Sequence, residues 1–409
     1  MGRLKTTMVI PTYWGRDSKT GVRKGDLTYD HPTHLDEQGT LLRCLKSISK
    51  LKDKDFTLVI LACATAPDIA QAVDTKVRKI ISQADMEVET LILSSIGLHG
   101  MNRYIKAVTE SDYSDLLTLK GYSPVRNMCL FAGHVLESDI TVFIDDDEVF
   151  EDPNFINKAR EHIGKVVDKE SVFAVAGYYL QEDGNYLLTP KHEPWMVAWD
   201  NASMMNEGFQ KIIGTDPRLK STPFVFGGNM VIHRILWERI PFDPNVPRGE
   251  DIDYLMNARM FGYTFFLDNE LSIKHLPPPN KNPRWLQIRK DMKRFAFERA
   301  KINTQKNVPG MIRITAEDFD PYPGAFLKAD LEEKAQEANQ ILARQYRLEG
   351  SKKDEKEALQ NVKLVENRLV PEGNPFESFC LLQGRWQEMM SATAEQKLKR
   401  DLKRFLIKN

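Results

Sequence analysis

Thr141-Val-Phe-Ile-Asp145-Asp146-Asp147-Glu148 runs four strand-favouring residues straight into three consecutive aspartates. A buried strand that ends in a carboxylate cluster is costly unless something cationic is held there. In an extended chain Asp145 and Asp147 point the same way, so both can approach one divalent cation or the waters around it. A hard cation with few protein ligands and several open positions is how proteins hold a diphosphate. An isolated acidic triplet is equally compatible with a solvated turn after a strand. The flanking segments therefore decide.

Upstream, Thr7-Met-Val-Ile-Pro-Thr-Tyr-Trp14 reads as a first strand that stops at Pro11. Residues 15–38 form a polar, charged, Gly-containing insertion with no apolar period. Its Asp30, His31, His34 and Asp36 are candidate ligands for a second metal. Leu41, Leu45 and Ile48 then recur at helical spacing, a strand follows over 56–62, a helix-like stretch over 67–84, and a third strand over 87–93. Strand and helix alternating in this way predict a parallel sheet with crossover helices. Ligands of such sheets sit beyond the carboxyl ends of the strands, where Thr12, Tyr13 and the aspartates emerge.

Residues 94–122 read as a long irregular connection, a length usually tied to function. Ser123-Pro124 then opens a helix, with Ser123 as N-cap and Pro124 at the first helical position, running to about Leu136. Arg126 and Asn127 fall in its first turn, near the positive end of the dipole that suits phosphate.

Downstream, 171–177 is a strand, and the loop-rich stretch 178–222 holds Trp195 and Trp199, whose faces can stack on sugar rings or simply pack. The strand over 223–232 is interrupted by Gly227-Gly228, where a ligand or another backbone approaches closely. Glu250 and Asp251 lie in the first turn of a helix, where acids stabilise the helix on their own account and also stay ionised, competent as bases. Strands over 263–268 and 271–275 put His275 at a strand end, within reach of a metal, before a stop at Pro277-Pro-Pro279.

Past residue 279 the composition changes to charged helices. One is a basic, aromatic helix over 283–306, and the last, over 396–408, is amphipathic with Leu398, Leu402, Phe405 and Leu406 on one face. That face suits packing on its own protein or on a sister subunit, with peripheral membrane contact a further option. The chain thus divides into 1–279 and a helical 280–409 region. Its net charge of -1 gives no reason to expect nucleic acid, and no apolar run approaches a membrane span. Widely spaced Cys44, Cys63, Cys129 and Cys380 read as reduced thiols, and together with an N-terminus lacking a secretory segment they imply a cytoplasmic protein.

Taken as an ordered set, Val9-Ile-Pro-Thr-Tyr13, Arg126-Asn127, Asp145-Asp-Asp147 and Gly249-Glu-Asp251 resemble the GT-A-fold nucleotide-sugar glycosyltransferases, closest to the family-2-like group, over residues 6–276. The resemblance implies an α/β, Rossmann-like mixed sheet with flanking helices, followed here by the helical extension. It implies a UDP- or GDP-sugar donor, a hydroxyl acceptor, and Mn2+ or Mg2+. Pro11, Thr12 and Tyr13 would line the nucleoside pocket, with Arg126 and Asn127 near the base or diphosphate and Asp145 or Asp146 on the ribose. Asp147 would bind the metal and His275 complete its site. Gly227 and Gly228 would lie beside the acceptor, with Trp195 and Asp253 further acceptor-side candidates. Asp251 would deprotonate the acceptor hydroxyl in an inverting reaction, with Glu250 or Asp253 as alternative base. The insertion at 15–38 and the connection at 94–122 depart from the pattern, and such loops build acceptor pockets. A retaining transferase, a sugar nucleotidyltransferase and a non-catalytic scaffold of the same fold are the rival readings.

Overall fold

The computed structural model describes all residues except 1, 2, 28, 30, 31, 190, 191, 280, 281, 368, 371 and 409. Seven strands carry the fold: β1 (Thr6–Gly15), β2 (Thr57–Ala64), β3 (Glu89–Ser94), β4 (Ile140–Phe143), β5 (Ala174–Leu180), β6 (Met230–His233) and β7 (Phe265–His275). They lie in the order β7-β5-β6-β4-β1-β2-β3, with Leu219–Ser221 outside β7 and Ile407–Lys408 outside β3. β4, β1, β2 and β3 run parallel, β6 runs antiparallel to both β4 and β5, and β7 is parallel to β5. This is a mixed sheet with flanking helices, and a helical C-terminal region follows it.

Alternation along the strands builds two cores. Met8, Ile10, Leu58 and Ile60 face the helices Leu41–Ser47 and Ala70–Ser82. Val9, Val59, Leu61 and Leu93 face the other side, where the helices Ser95–Thr109, Tyr122–Val135 and Glu250–Met260 lie. The helices Arg284–Asn303, Leu331–Leu348 and Pro375–Ala392 contribute Phe295, Leu342 and Trp386 to this same second core. Trp386 Nε1 donates to the Trp237 carbonyl at 2.7 Å. The region after residue 279 is thus packed into the sheet's own core rather than held apart from it.

Several local expectations are corrected. β1 does not stop at Pro11 but runs to Gly15. Val9 accepts from the Ile144 N–H, and Pro11, two residues on, turns its nitrogen to that same side, beyond the end of β4, where no donor is required. Residues 94–122 are not irregular throughout. Ser94 caps a helix by accepting from the Gly97 N–H at 3.3 Å, and Leu98, Met101 and Ile105 are buried along it. Its glycines serve contact, since a Cβ on Gly97 would meet the Phe405 carbonyl at 2.9 Å and one on Gly100 the Phe405 ring at 2.9 Å. The next helix begins at Tyr122 with Gly121 as N-cap, and Ser123 instead donates to the Val246 carbonyl. β5 continues to Leu180, and Phe265–His275 is one strand with a register shift after Leu267 rather than two. The expected final helix ends at Lys403, after which Ile407–Lys408 pairs with β3. Leu398, Leu402 and Leu406 are buried within the chain. Among the described residues no helix is long and apolar enough to cross a membrane.

Candidate active site

Beyond the carboxyl end of β4, beside the last residues of β1, lies a cleft of about 550 Å³ lined by Pro11, Tyr13, Arg126, Asp145, Asp146, Asp147, Gly227, Glu250, Asp251 and His275, among others. The route that brings His275 there is a strand pairing. Residues just past the aspartates, Glu148–Val149, pair antiparallel with Lys274–His275 at the end of β7, and Leu276 N–H donates to the Asp147 carbonyl. Asp147 Oδ2 and His275 Nε2 consequently lie 3.4 Å apart, and the imidazole is stacked on Tyr179 at 4.4 Å.

Arg126 ties the acids of two elements together. Its Nη1 and Nη2 donate to the two Asp145 oxygens at 2.8 and 3.1 Å, and Nε donates to Glu250 at 3.2 Å. Burial alone would lower its pKa, but Asp145 and Glu250 outweigh that and hold the guanidinium ionised. Asp146 accepts from Thr12 at 2.5 Å and from Thr40 at 3.2 Å, while burial and the neighbouring Asp147 push it up to about 7. Glu148 lies buried beneath, accepting from the Asp145 N–H at 3.0 Å, and burial followed by repulsion from Asp145 and Asp147 pushes it well up.

Gly228 has a steric reason: a Cβ there would collide with Glu148 and meet Asp145 Cγ at 2.9 Å. A Cβ on Gly227 would meet Arg126 Nη2 at 2.8 Å and Asp251 Oδ2 at 3.4 Å. Asp251 opens the Glu250–Met260 helix, its Oδ1 accepting its neighbour Ile252 N–H at 2.9 Å, with burial raising its pKa against the pull of that bond and of Arg126. Glu250 is engaged by Arg126, whereas Asp251 faces the cleft.

Three aromatic rings the sequence reading did not group together close one end. Tyr13 lies 4.3 Å from Tyr29 and 5.6 Å from Tyr122, and Tyr29 lies 5.1 Å from Tyr122. The Tyr29 hydroxyl accepts from the Gly121 N–H, fastening the insertion to the start of the Tyr122–Val135 helix. Arg248, Asp291, Arg294 and Tyr322 also border the cleft and were not singled out from sequence. A signal for the helix existed: Asp291, Arg294, Glu298 and Lys301 recur at spacings that put four charged groups on one face, and all four are buried.

Other candidates lie elsewhere. Asn127 is buried with both amide atoms on the Phe242 backbone, at 2.9 and 2.7 Å, and does not face the cleft. Thr12 is fully buried and reaches the site only through Asp146. Trp195 and Trp199 belong to the second core, Trp199 against Phe326, because the Leu331–Leu348 helix covers that segment. Asp253 is withdrawn into a buried pair with Lys301 at 2.7 Å, shared with Asp243 at 2.8 Å. Of the suggested second-metal group, Asp30 and His31 lie outside the described residues. His34 bonds the Arg16 carbonyl and Asp36 accepts from Ser18. Among the described residues no three His, Cys, Asp or Glu side chains converge as a metal cluster.

No protein-family model matches the chain, and no curated protein matches it. Among solved structures it is similar to a mannosyltransferase from Pyrobaculum calidifontis in complex with GDP-Man and Mn2+, at 14% identity and TM-score 0.45, covering 96% of this chain and 87% of that one. It is also similar to glucosyl-3-phosphoglycerate synthase from Mycobacterium tuberculosis in complex with Mg2+ and UDP, at 17% identity and TM-score 0.36, covering 72% of this chain and 77% of that one. Likeness at this level says nothing of the reaction, which must be argued from the residues of the cleft.

Proposed function

We propose that this chain is a metal-dependent glycosyltransferase that moves a sugar from a nucleoside-diphosphate sugar to an acceptor hydroxyl, with inversion and with Asp251 as base. One observation carries the reading: the Asp147–His275 pair, the tyrosine box and Asp251 all open on a single cleft beyond the carboxyl end of β4, beside the last residues of β1. The donor set fits Mn2+ or Mg2+, cations that take one or two protein ligands and complete their shell with diphosphate oxygens and water. Asp147 and His275 would hold the ion. When bound, it neutralises the charge that builds on the departing diphosphate.

The chain's own residues do the rest. Tyr13, Tyr29 and Tyr122 offer faces on which a nucleobase can stack. Arg126 fixes Asp145 in one orientation, so that a carboxylate remains at the ribose side of the donor. Asp251 accepts the acceptor's proton as its oxygen bonds to the anomeric carbon. The bond from that carbon to the diphosphate oxygen breaks, and its electron pair leaves with the nucleoside diphosphate. A base on the face opposite the leaving group implies an inverted product, which the anomeric configuration of the product reads directly.

Asp147→Ala removes the carboxylate of the metal pair. Calorimetric titration should show nucleoside diphosphate affinity that no longer responds to Mn2+, at least tenfold below the wild type with metal. Unchanged metal-dependent affinity would exclude Asp147 as the ligand.

A further inference from the structure

Two arginines, Arg294 and Arg248, line the cleft along with its acids. Arg294, on the Arg284–Asn303 helix, is 4% exposed and borders the cleft. Its Nη2 donates to the Tyr322 hydroxyl at 2.7 Å and its plane lies 4.3 Å from the Phe295 ring, but Nε has no hydrogen-bond partner among the described residues. The carboxylate beside it, Glu298, stands 3.9 Å away and makes no hydrogen bond among those residues through either oxygen. Burial pushes Glu298 up to about 8, against the pull of Arg294.

The backbone is shaped around this guanidinium. Gly249 has φ of +71°, and a Cβ there would collide with Arg294. Tyr322, Glu298 and Asp291 hold Arg294 ionised despite its burial, and the unpartnered Nε leaves hydrogen-bonding capacity that a ligand's anion can take up. Arg248 lines the same cleft and stands 3.8 Å from Asp291, which also accepts from Asn201. Arg294 acts electrostatically on Asp251, so this cation and the proposed base address one volume.

We propose that the acceptor carries an anionic group, a carboxylate or a phosphate, near its reactive hydroxyl, and that Arg294 with Arg248 binds that group; the inference rests on the glycosyltransferase reading above. The anion takes no part in bond making. It sets the hydroxyl against Asp251 and the anomeric carbon, and it discriminates against neutral polyols, which bring no anion to the two guanidinium groups.

The test uses the full chain saturated with nucleoside diphosphate and Mn2+, titrated calorimetrically with lactate, inorganic phosphate and the neutral 1,2-propanediol. Lactate or phosphate should bind and the diol should not, and the tighter anion names the group. Arg294→Gln should weaken anion binding by about 10- to 100-fold at unchanged nucleotide affinity. Arg248→Gln, at a more exposed position, should weaken it several-fold and keeps the test open if the first variant does not fold. Diol binding equal to that of the anions, no anion binding at millimolar concentration, or both variants binding anions like the wild type would overturn the inference while leaving the transferase reading intact. A protein that binds no nucleoside diphosphate fails earlier, and the inference falls with the reading it rests on.

Discussion

Asp251→Asn should lower kcat by about 10²- to 10⁴-fold, the usual contribution of a positioned base, and leave nucleotide affinity unchanged. The amide keeps the shape of the carboxylate and its capacity to accept from the Ile252 N–H, so the helix start is preserved. What it loses is the ability to take a proton. The pH profile gives an independent sign. Burial raises the Asp251 pKa, and the base works only when deprotonated, so turnover should fall as pH drops through a value above the usual carboxylate range. The Asn variant should lack that acid limb. Normal turnover in the variant would remove Asp251 as base.

Arg126→Met should destabilise the fold by about 3–5 kcal/mol, the effect of removing one partner from a buried charge cluster. Its guanidinium bridges Asp145 on the sheet side to Glu250 on the helix side. Without it both acids face desolvation with no cation in contact. The loss should be larger at high pH. With the arginine gone, burial and the repulsion of Asp251 and Asp145 act on Glu250, already raised in its presence, so its folded-state pKa lies above the unfolded one. Stability attached to the protonated form is then lost as pH rises through that folded value. Urea unfolding at acid and alkaline pH measures both points. A variant as stable as the wild type, or one destabilised equally at all pH values, would contradict this account of the bridge.

The parts of the site legible in the sequence are those whose signal is local. A strand that runs into Asp145-Asp146-Asp147, a strand carrying Tyr13, and acids after a glycine at 249 each declare themselves within a few residues. What stayed hidden depends on tertiary packing. Residues 94–122 read as irregular, whereas Gly97 and Gly100 lie in a helix against the Phe405 segment some 300 residues away. Asn127 shares a first turn with Arg126, yet one residue of helix rotation turns it onto the Phe242 backbone. Asp253 resembles Asp251 in sequence, but the buried Lys301 claims it. Arg294 and Tyr322 reach the cleft only because the C-terminal helices fold back onto the sheet; the one-face charge spacing of the Arg294 helix does not say where that face docks.

The central claim is that the cleft binds a nucleoside diphosphate through a divalent cation. The most direct measurement is the thermal stability of the full chain with UDP, GDP, CMP and TDP, each with and without Mn2+ or Mg2+. A nucleoside diphosphate at a hundredfold excess over its Kd should stabilise the protein by about 2.7 kcal/mol, and only when the metal is present. That result would also fix which activated sugars to assay. No shift with any nucleotide, or a shift indifferent to metal, would contradict the account and leave the fold as a scaffold whose helices do its work.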